Sequence, residues 1–365
     1  MHKTTPWYLP RPTRGGKIRY KGVFFMPQLP TNPARTQERG VYRTAESVSP
    51  KHPDKLCDQI SDAILDAYLA HDPYARVAVD VAGGHGTIFI TGEVTAQAPA
   101  IDIPAIVTRI VGLQANGKPY EIIERLAAQS PEIANGVDTG GAGDQGIMVG
   151  YATSETPELL PLEYALARNL NQFLYKLWPY DGKTQVTLLD NHITTIVASF
   201  QHAPKAELEA AIRQWARTQP YVSPYFVKGR NDTPTIHANP AGDWHIGGFD
   251  ADAGLTGRKL AVDNYGPRIP LGGGAFSGKD GTKVDRSGAY IARKIAVDYL
   301  KRYEANEVYV YLAYAIGYPQ PVEATAIVDG LHKEVKGYDL TPVGIIETLK
   351  LREGRFEERA RWGHF

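Results

Sequence analysis

The chain has 365 residues, 43% apolar and 22% charged, a size and composition that suit a globular protein of two or three domains with sizeable cores. Forty Lys/Arg balance forty Asp/Glu, so no global field points to nucleic acid or an anionic membrane. No apolar run approaches the roughly 20 residues of a membrane span, and the first residues lack the apolar core of a secretory signal. The single cysteine, Cys57, leaves no partner for an internal disulfide and fits a reducing, cytoplasmic compartment. No Cys/His cluster has zinc spacing, so any metal is expected on oxygen ligands.

Residues 1–40 hold eight Lys/Arg against one acid, with six prolines and no sustained period. They read as an irregular basic extension, a solvated or partner-packed arm without a catalytic role. Folded sequence begins near Val41. The run from Glu46 to Lys55 leads into a helix: Pro53 suits the first helical position, and Leu56, Ile60, Ile64 and Ala67 form its apolar stripe. His52 and Asp54 then sit at a helix N-terminus, beside unpaired N–H groups and the positive dipole end, where plain capping is the alternative to anion chemistry. Strands are expected over 76–81 and 87–95, carrying Asp80 and Glu93. Helices are expected over 102–113 and 119–128.

A glycine-and-acid segment from Gln129 to Gly146 follows, a candidate for a mobile lid as well as for simple linkage. It runs into a strand over 147–151. The pattern then predicts a helix over 159–178, strands opening near Asp181 and over 193–200, and a helix over 204–218. A turn with a short strand is expected over 239–248. The segment 252–259 sets Arg258 and Lys259 beside Asp252. Past the glycine run, a long helix over 284–303, strands over 308–316 and 324–328, and a helix over 340–351 complete the chain. Strand pairs and helices thus recur three times, which predicts three α+β units, over 41–140, 141–245 and 246–365, and not one doubly wound sheet.

The stretch 272–286 is the richest in chemistry. Its glycines free the backbone to point several N–H groups into one concavity. Lys279 and Lys283 add positive charge, and Asp280 and Asp285 add hard oxygen ligands of the kind Mg²⁺ takes. Gly273, Gly278 and Lys279 satisfy the spacing of a P-loop. However, Asp280 stands where that motif needs Ser or Thr, and the preceding segment holds two prolines where a buried strand belongs. A structural glycine connector is the plainer reading, against which the charge content weighs.

Taken together, HPDK at 52–55, GAGDQG at 141–146, DAGLTGRK at 252–259 and GGGAFSGKD at 272–280 closely resemble the S-adenosylmethionine synthetase (methionine adenosyltransferase) family. The similarity runs from about residue 43 to the last residues. It implies three similar α+β domains and a homodimer, or a tetramer built from it, with active sites at the subunit interface. It implies that ATP and L-methionine give S-adenosylmethionine, the tripolyphosphate being cleaved to phosphate and diphosphate, with two Mg²⁺ and one K⁺ per site. By that resemblance His52, Lys183, Arg258 and Lys279 are the catalytic cations and the histidine near the breaking bond. Asp181, Asp243, Trp244, Asp252, Lys259 and Ala275 join them around ATP, with Trp244 in the place of an adenine-stacking aromatic. Glu93, Gln129, Asp252 and Lys283 fall where the family meets methionine, and Asp144 belongs to the segment near the substrates. Asp54 and Asp285 resemble Mg²⁺ ligands, and Asp80 stands where the family has the glutamate of its K⁺ site. Asp243 and Lys51 depart from the family's usual arginine and glycine. Two other readings remain: a different ATP–Mg phosphoryl-transfer enzyme, and a regulatory homologue without activity.

Overall fold

A computed structural model describes residues 40–129, 140–220 and 234–365. The basic extension up to residue 39 and residues 130–139 of the lid candidate (Gln129–Gly146) lie outside the described residues. In chain order the elements are β1 (Tyr42–Val48), α1 (Pro53–His71), β2 (Arg76–Gly84), β3 (Thr87–Thr95), α2 (Ile103–Val111) and β4 (Glu121–Ala127). Then come β5 (Gly146–Thr153), α3 (Leu162–Leu177), β6 (Gly182–Leu189), β7 (His192–Phe200), α4 (Lys205–Arg217) and β8 (Thr235–Ala238). The last third holds β9 (Gly254–Leu255), α5 (Leu260–Asp263), α6 (Val284–Tyr303), β10 (Glu307–Tyr314), β11 (Glu323–Val328), β12 (Leu331–Glu334), α7 (Pro342–Leu349) and α8 (Phe356–Arg359).

The strands form three four-stranded sheets, ordered β4-β3-β2-β9, β1-β6-β7-β8 and β12-β11-β10-β5. Each recruits a strand from far along the chain. Short β9 lies on the edge of the first sheet, β1 pairs with β6, and β5 pairs with β10. The first and third sheets share one core with α1, α2, α6 and α7, where Ile60, Ile64, Val79, Ile90, Ile291 and Val310 are fully or almost fully buried. A second core joins the middle sheet to α3 and α4. Helix α6 lies so close on β5 that a Cβ built at Gly150 would stand 2.1 Å from the Ala292 carbonyl oxygen, so this contact requires glycine.

Two expectations are corrected. Residues 119–128 are not helical. β4 runs parallel to β3, from Thr87 opposite Glu121 to Glu93 opposite Ala127. Ile122 and Leu126, which pack on the core, are four apart, a spacing that a helix and a strand both place on one face. The β-branched Ile122–Ile123 pair and the open edge of β3 decide it. The short strand expected over 239–248 lies earlier, at β8. Asn239 ends that ladder, because its side chain accepts from Phe200 N–H at 2.9 Å and donates to the Ala203 carbonyl at 2.7 Å.

Candidate active site

The N-terminus of α1 collects the first group of charged residues. Pro53 opens the helix, and the Nδ1 of His52, the capping residue, accepts from Asp54 N–H at 3.2 Å. With Nδ1 accepting, a neutral ring carries its proton on Nε2, facing away from the helix. Burial pushes the His52 pKa down to about 4, helped by Lys259 and then Lys183, while Asp54 and Asp252 oppose them. The imidazole is therefore neutral near pH 7 and stands within electrostatic reach of all four groups.

Asp54 is 1% exposed. Its carboxylate binds the Lys259 ammonium, accepts Leu255 N–H at 3.0 Å and meets Arg258 Nε at 3.4 Å. Burial alone would raise its pKa; the Lys259 and Leu255 hydrogen bonds hold it below the usual range. β9 delivers both cations, because it pairs with Ala82 and Gly83 beside the helix start. Lys183, opposite Val48 in the β1–β6 ladder, pairs its ammonium with Glu46 at 2.7 Å. Asp181, just before β6, is buried and accepts Gly248 N–H at 2.9 Å. A cavity of about 570 Å³ opens from here, walled by Asp181, His202, His245, Phe249 and Tyr120. Beside it, Trp244 is half-buried and its carbonyl accepts from His202 N–H at 2.9 Å, whereas Asp243 is exposed and accepts Lys205 N–H at 2.9 Å, ahead of α4. Asp252 is exposed and accepts from its own neighbour, Ala253.

A second group forms around the start of α6. Lys279 Nζ meets Asp285 Oδ2 at 2.5 Å, and Asp285 Oδ1 accepts Gly274 N–H at 2.8 Å. Lys283 pairs with Asp280 at 2.5 Å, and Asp280 also accepts Val77 N–H at 2.7 Å. A cavity of about 120 Å³ is lined by Gln129, Asp144, Lys279, Lys283 and Asp285. Among the described residues the buried Gln129 Oε1 has no hydrogen-bond partner, so this wall keeps an unused acceptor. Asp80 lies two residues beyond Ala78, which bridges to Lys279. Its surroundings push its carboxyl up by desolvation, with Lys279 pulling the other way. Glu93 faces Ala78 across the ladder, so it shares a row of the sheet with Lys279.

Among the described residues no hydrogen bond or ion pair joins the two groups. Within those residues the scaffold links them. The loop of Ala275 touches Gly257, where a Cβ would come within 2.3 Å of Ala275 Cβ. His52, Asp54, Asp181, Lys183, Arg258 and Lys259 thus come together. Lys279, Lys283, Asp285, Gln129, Asp144 and Asp80 come together elsewhere, and Glu93 lies along their sheet. Glu46, Asp58, Asp62 and Arg286 were missed by the sequence reading. For Asp58 and Asp62 the available signal was aspartate recurring every fourth residue along α1.

No group of three or more His, Cys, Asp or Glu side chains able to hold a metal occurs among the described residues. Isolated carboxylates set beside cations fit Mg²⁺ nonetheless, since that ion is commonly held by one or two carboxylates together with substrate phosphates. Asp54 and Asp285 have that character.

Three family models match the chain in succession: the N-terminal domain of S-adenosylmethionine synthetase over residues 40–131, its central domain over 139–244 and its C-terminal domain over 246–365. Similar curated proteins include an S-adenosylmethionine synthase of Prochlorococcus marinus, 42% identical over 88% of this chain and 93% of that protein. The synthases of Clostridium tetani and Thermus thermophilus are each 40% identical over the same shares.

Proposed function

This chain belongs to the S-adenosylmethionine synthetase family, and from that premise we propose how its residues divide the work. The protein is a methionine adenosyltransferase that makes S-adenosyl-L-methionine from ATP and L-methionine. Neither a different phosphoryl-transfer enzyme nor an inactive homologue is favoured. The observation that carries the assignment of the site is the convergence of His52, Lys183, Arg258 and Lys259 around the N-terminus of α1.

A thioether sulfur is already a neutral nucleophile, so its attack on ribose C5′ needs no general base. The barrier lies in expelling tripolyphosphate, whose growing charge preorganised cations stabilise. Lys183, Arg258 and Lys259 bind the phosphates, and His52 donates from Nε2 to an oxygen near the breaking bond. Lys279 contributes from the second group. Asp181, Asp252, Trp244, Asp243 and Ala275 border the nucleoside; Asp181 lines the 570 Å³ cavity, and Trp244 precedes His245 in its wall. Gln129, Glu93 and Lys283 hold methionine, the free Gln129 Oε1 being an acceptor for its ammonium, with Asp144 alongside.

The family's reaction uses a divalent metal and K⁺. Asp54 and Asp285 would each hold a Mg²⁺, which neutralises phosphate charge when bound, and Asp80 would serve K⁺. After transfer, the same cations hold tripolyphosphate for cleavage to phosphate and diphosphate.

Two separate half-sites in one chain support a homodimer in which each active site takes its halves from two protomers. The first sheet offers a surface for it. On the side away from Val77, Val79 and Val81 runs an apolar row of Leu255, Ala82, Phe89 and Ile123, with Leu255 40% and Phe89 38% exposed. The buried, unpaired Cys57 supports a cytoplasmic setting, and no described helix is long and apolar enough to cross a membrane.

The test is incubation with ATP, methionine, Mg²⁺ and K⁺ followed by mass detection of the sulfonium product. Product that depends on all of ATP, methionine and metal is expected. ADP formed without methionine would overturn the reading in favour of a kinase or ATPase, and no turnover would favour a regulatory homologue.

A further inference from the structure

Four aspartates, Asp54, Asp58, Asp62 and Asp66, stand four residues apart on α1. That spacing stacks them along one side of the helix, where like charges repel unless something else holds them. Every rung accepts a main-chain N–H from a segment distant in sequence. Asp54 takes Leu255 at 3.0 Å, Asp58 takes Gly257 at 2.8 Å and Asp62 takes Gly278 at 2.8 Å. Asp66 takes Phe356 at 2.9 Å and Glu357 at 3.0 Å.

The middle rungs are fully buried, and each is matched by a cation. Lys55 binds Asp58 at 3.0 Å and Asp263 at 2.6 Å. Arg286 grips Asp62 with two bonds, at 2.8 and 2.6 Å, and donates a further one to the Lys279 carbonyl at 2.9 Å. Gly257 immediately precedes Arg258, and Gly278 immediately precedes Lys279. Gly278 has φ +80°, and a Cβ there would lie 1.9 Å from the Val79 carbonyl oxygen. Neither loop therefore has a side chain of its own at the anchored residue; the carboxylate of α1 fixes it.

We propose that Asp58 and Asp62 are positioning residues for the two phosphate-facing loops. Asp58 sets Arg258 and Lys259 in one half-site, and Asp62 sets Lys279 in the other. This rests on the function proposed above. Charge-assisted bonds from a buried helix are stiff anchors, and a displacement of about 1 Å in a catalytic cation lowers turnover by on the order of a hundredfold. Asp66 has the same chemistry but holds residues 356–357, which carry no candidate site residue, so it is the internal control.

The experiment compares Asp58→Ala, Asp62→Glu and Asp66→Ala in the full chain by amide hydrogen exchange and by steady-state kinetics. Asp58→Ala leaves Lys55 its Asp263 partner, and Asp62→Glu keeps the charge that Arg286 needs, so neither strands a buried cation. Faster exchange is expected at 255–259 in the first variant and at 276–280 in the second. In both, kcat should fall about tenfold or more, and inorganic tripolyphosphate should bind more weakly, with KM for methionine within about threefold. Asp66→Ala should leave both loops protected and kcat within about twofold. Equal losses in all three variants, or unchanged loop exchange and kcat in the first two, would overturn the proposal. The exchange measurement needs no turnover, so a wild-type protein that forms no sulfonium product counts against the proposed function alone.

Discussion

Asp181 illustrates how far burial acts on a single residue of the candidate site. Burial raises its pKa to about 6; the Gly248 and Gly182 N–H groups pull it back, and Asp252 and Asp54 push the same way as burial. A carboxyl whose native pKa exceeds its unfolded value binds more protons in the native state between the two values. Its stabilising contribution is therefore complete below about pH 4 and lost as pH rises through about 6. Asp181→Asn removes the charge and keeps an acceptor for Gly248. At pH 8 the variant should be more stable than wild type by up to about 3 kcal/mol, and near pH 4 the two should agree, as read by denaturant unfolding at both pH values. At this scale the sequence was informative where chemistry and local geometry coincide: Pro53 fixes the helix start, and that fixes where His52 and Asp54 sit. It was silent on Glu46, whose pairing with Lys183 depends on the β1–β6 register.

The elements were legible where their period is long and unambiguous. Helix α6 spans Val284–Tyr303, the range its apolar spacing predicts. β4 is ambiguous in the sequence because residues four apart share a face in either geometry, and its parallel pairing with β3 makes it a strand. The approach of α6 to β5 at Gly150 was equally hidden, because nothing in the local sequence announces a neighbour's carbonyl. Gly150→Ala should force these two elements apart. A loss of about 3 kcal/mol is expected, seen as a lowered unfolding midpoint, while Gly330→Ala, at a turn with open space around it, tests backbone strain without a clash.

Across the molecule, the charged residues fall into two groups anchored at different levels of one helix. Asp54 and Asp62 are eight residues apart, about 12 Å along α1. If a complete site takes one group from each of two protomers, variants damaged in different groups should rescue each other. Asp54→Ala and Lys279→Met should each lower turnover about a hundredfold or more on their own. Mixed by refolding together, they should recover about a quarter of wild-type activity, since half the dimers are hybrids with one intact site in two. Activity that stays at the level of the single variants would show that each site is built within one protomer.

The sequence by itself determined the local grammar: the helix that begins at Pro53, the glycine loops, the supply of Lys, Arg and Asp, and motifs dense enough to assign the family. These are short-range properties, set by backbone freedom, capping and charge within a few residues. Only the tertiary structure decided that β9 carries Arg258 and Lys259 to Asp54, that Gly278 hangs from Asp62, and that Lys279 stands in a separate group. Those placements depend on strand register and on buried ion pairs between residues some two hundred positions apart. Chain connectivity carries no record of such pairings; packing and the need to satisfy buried charge select them.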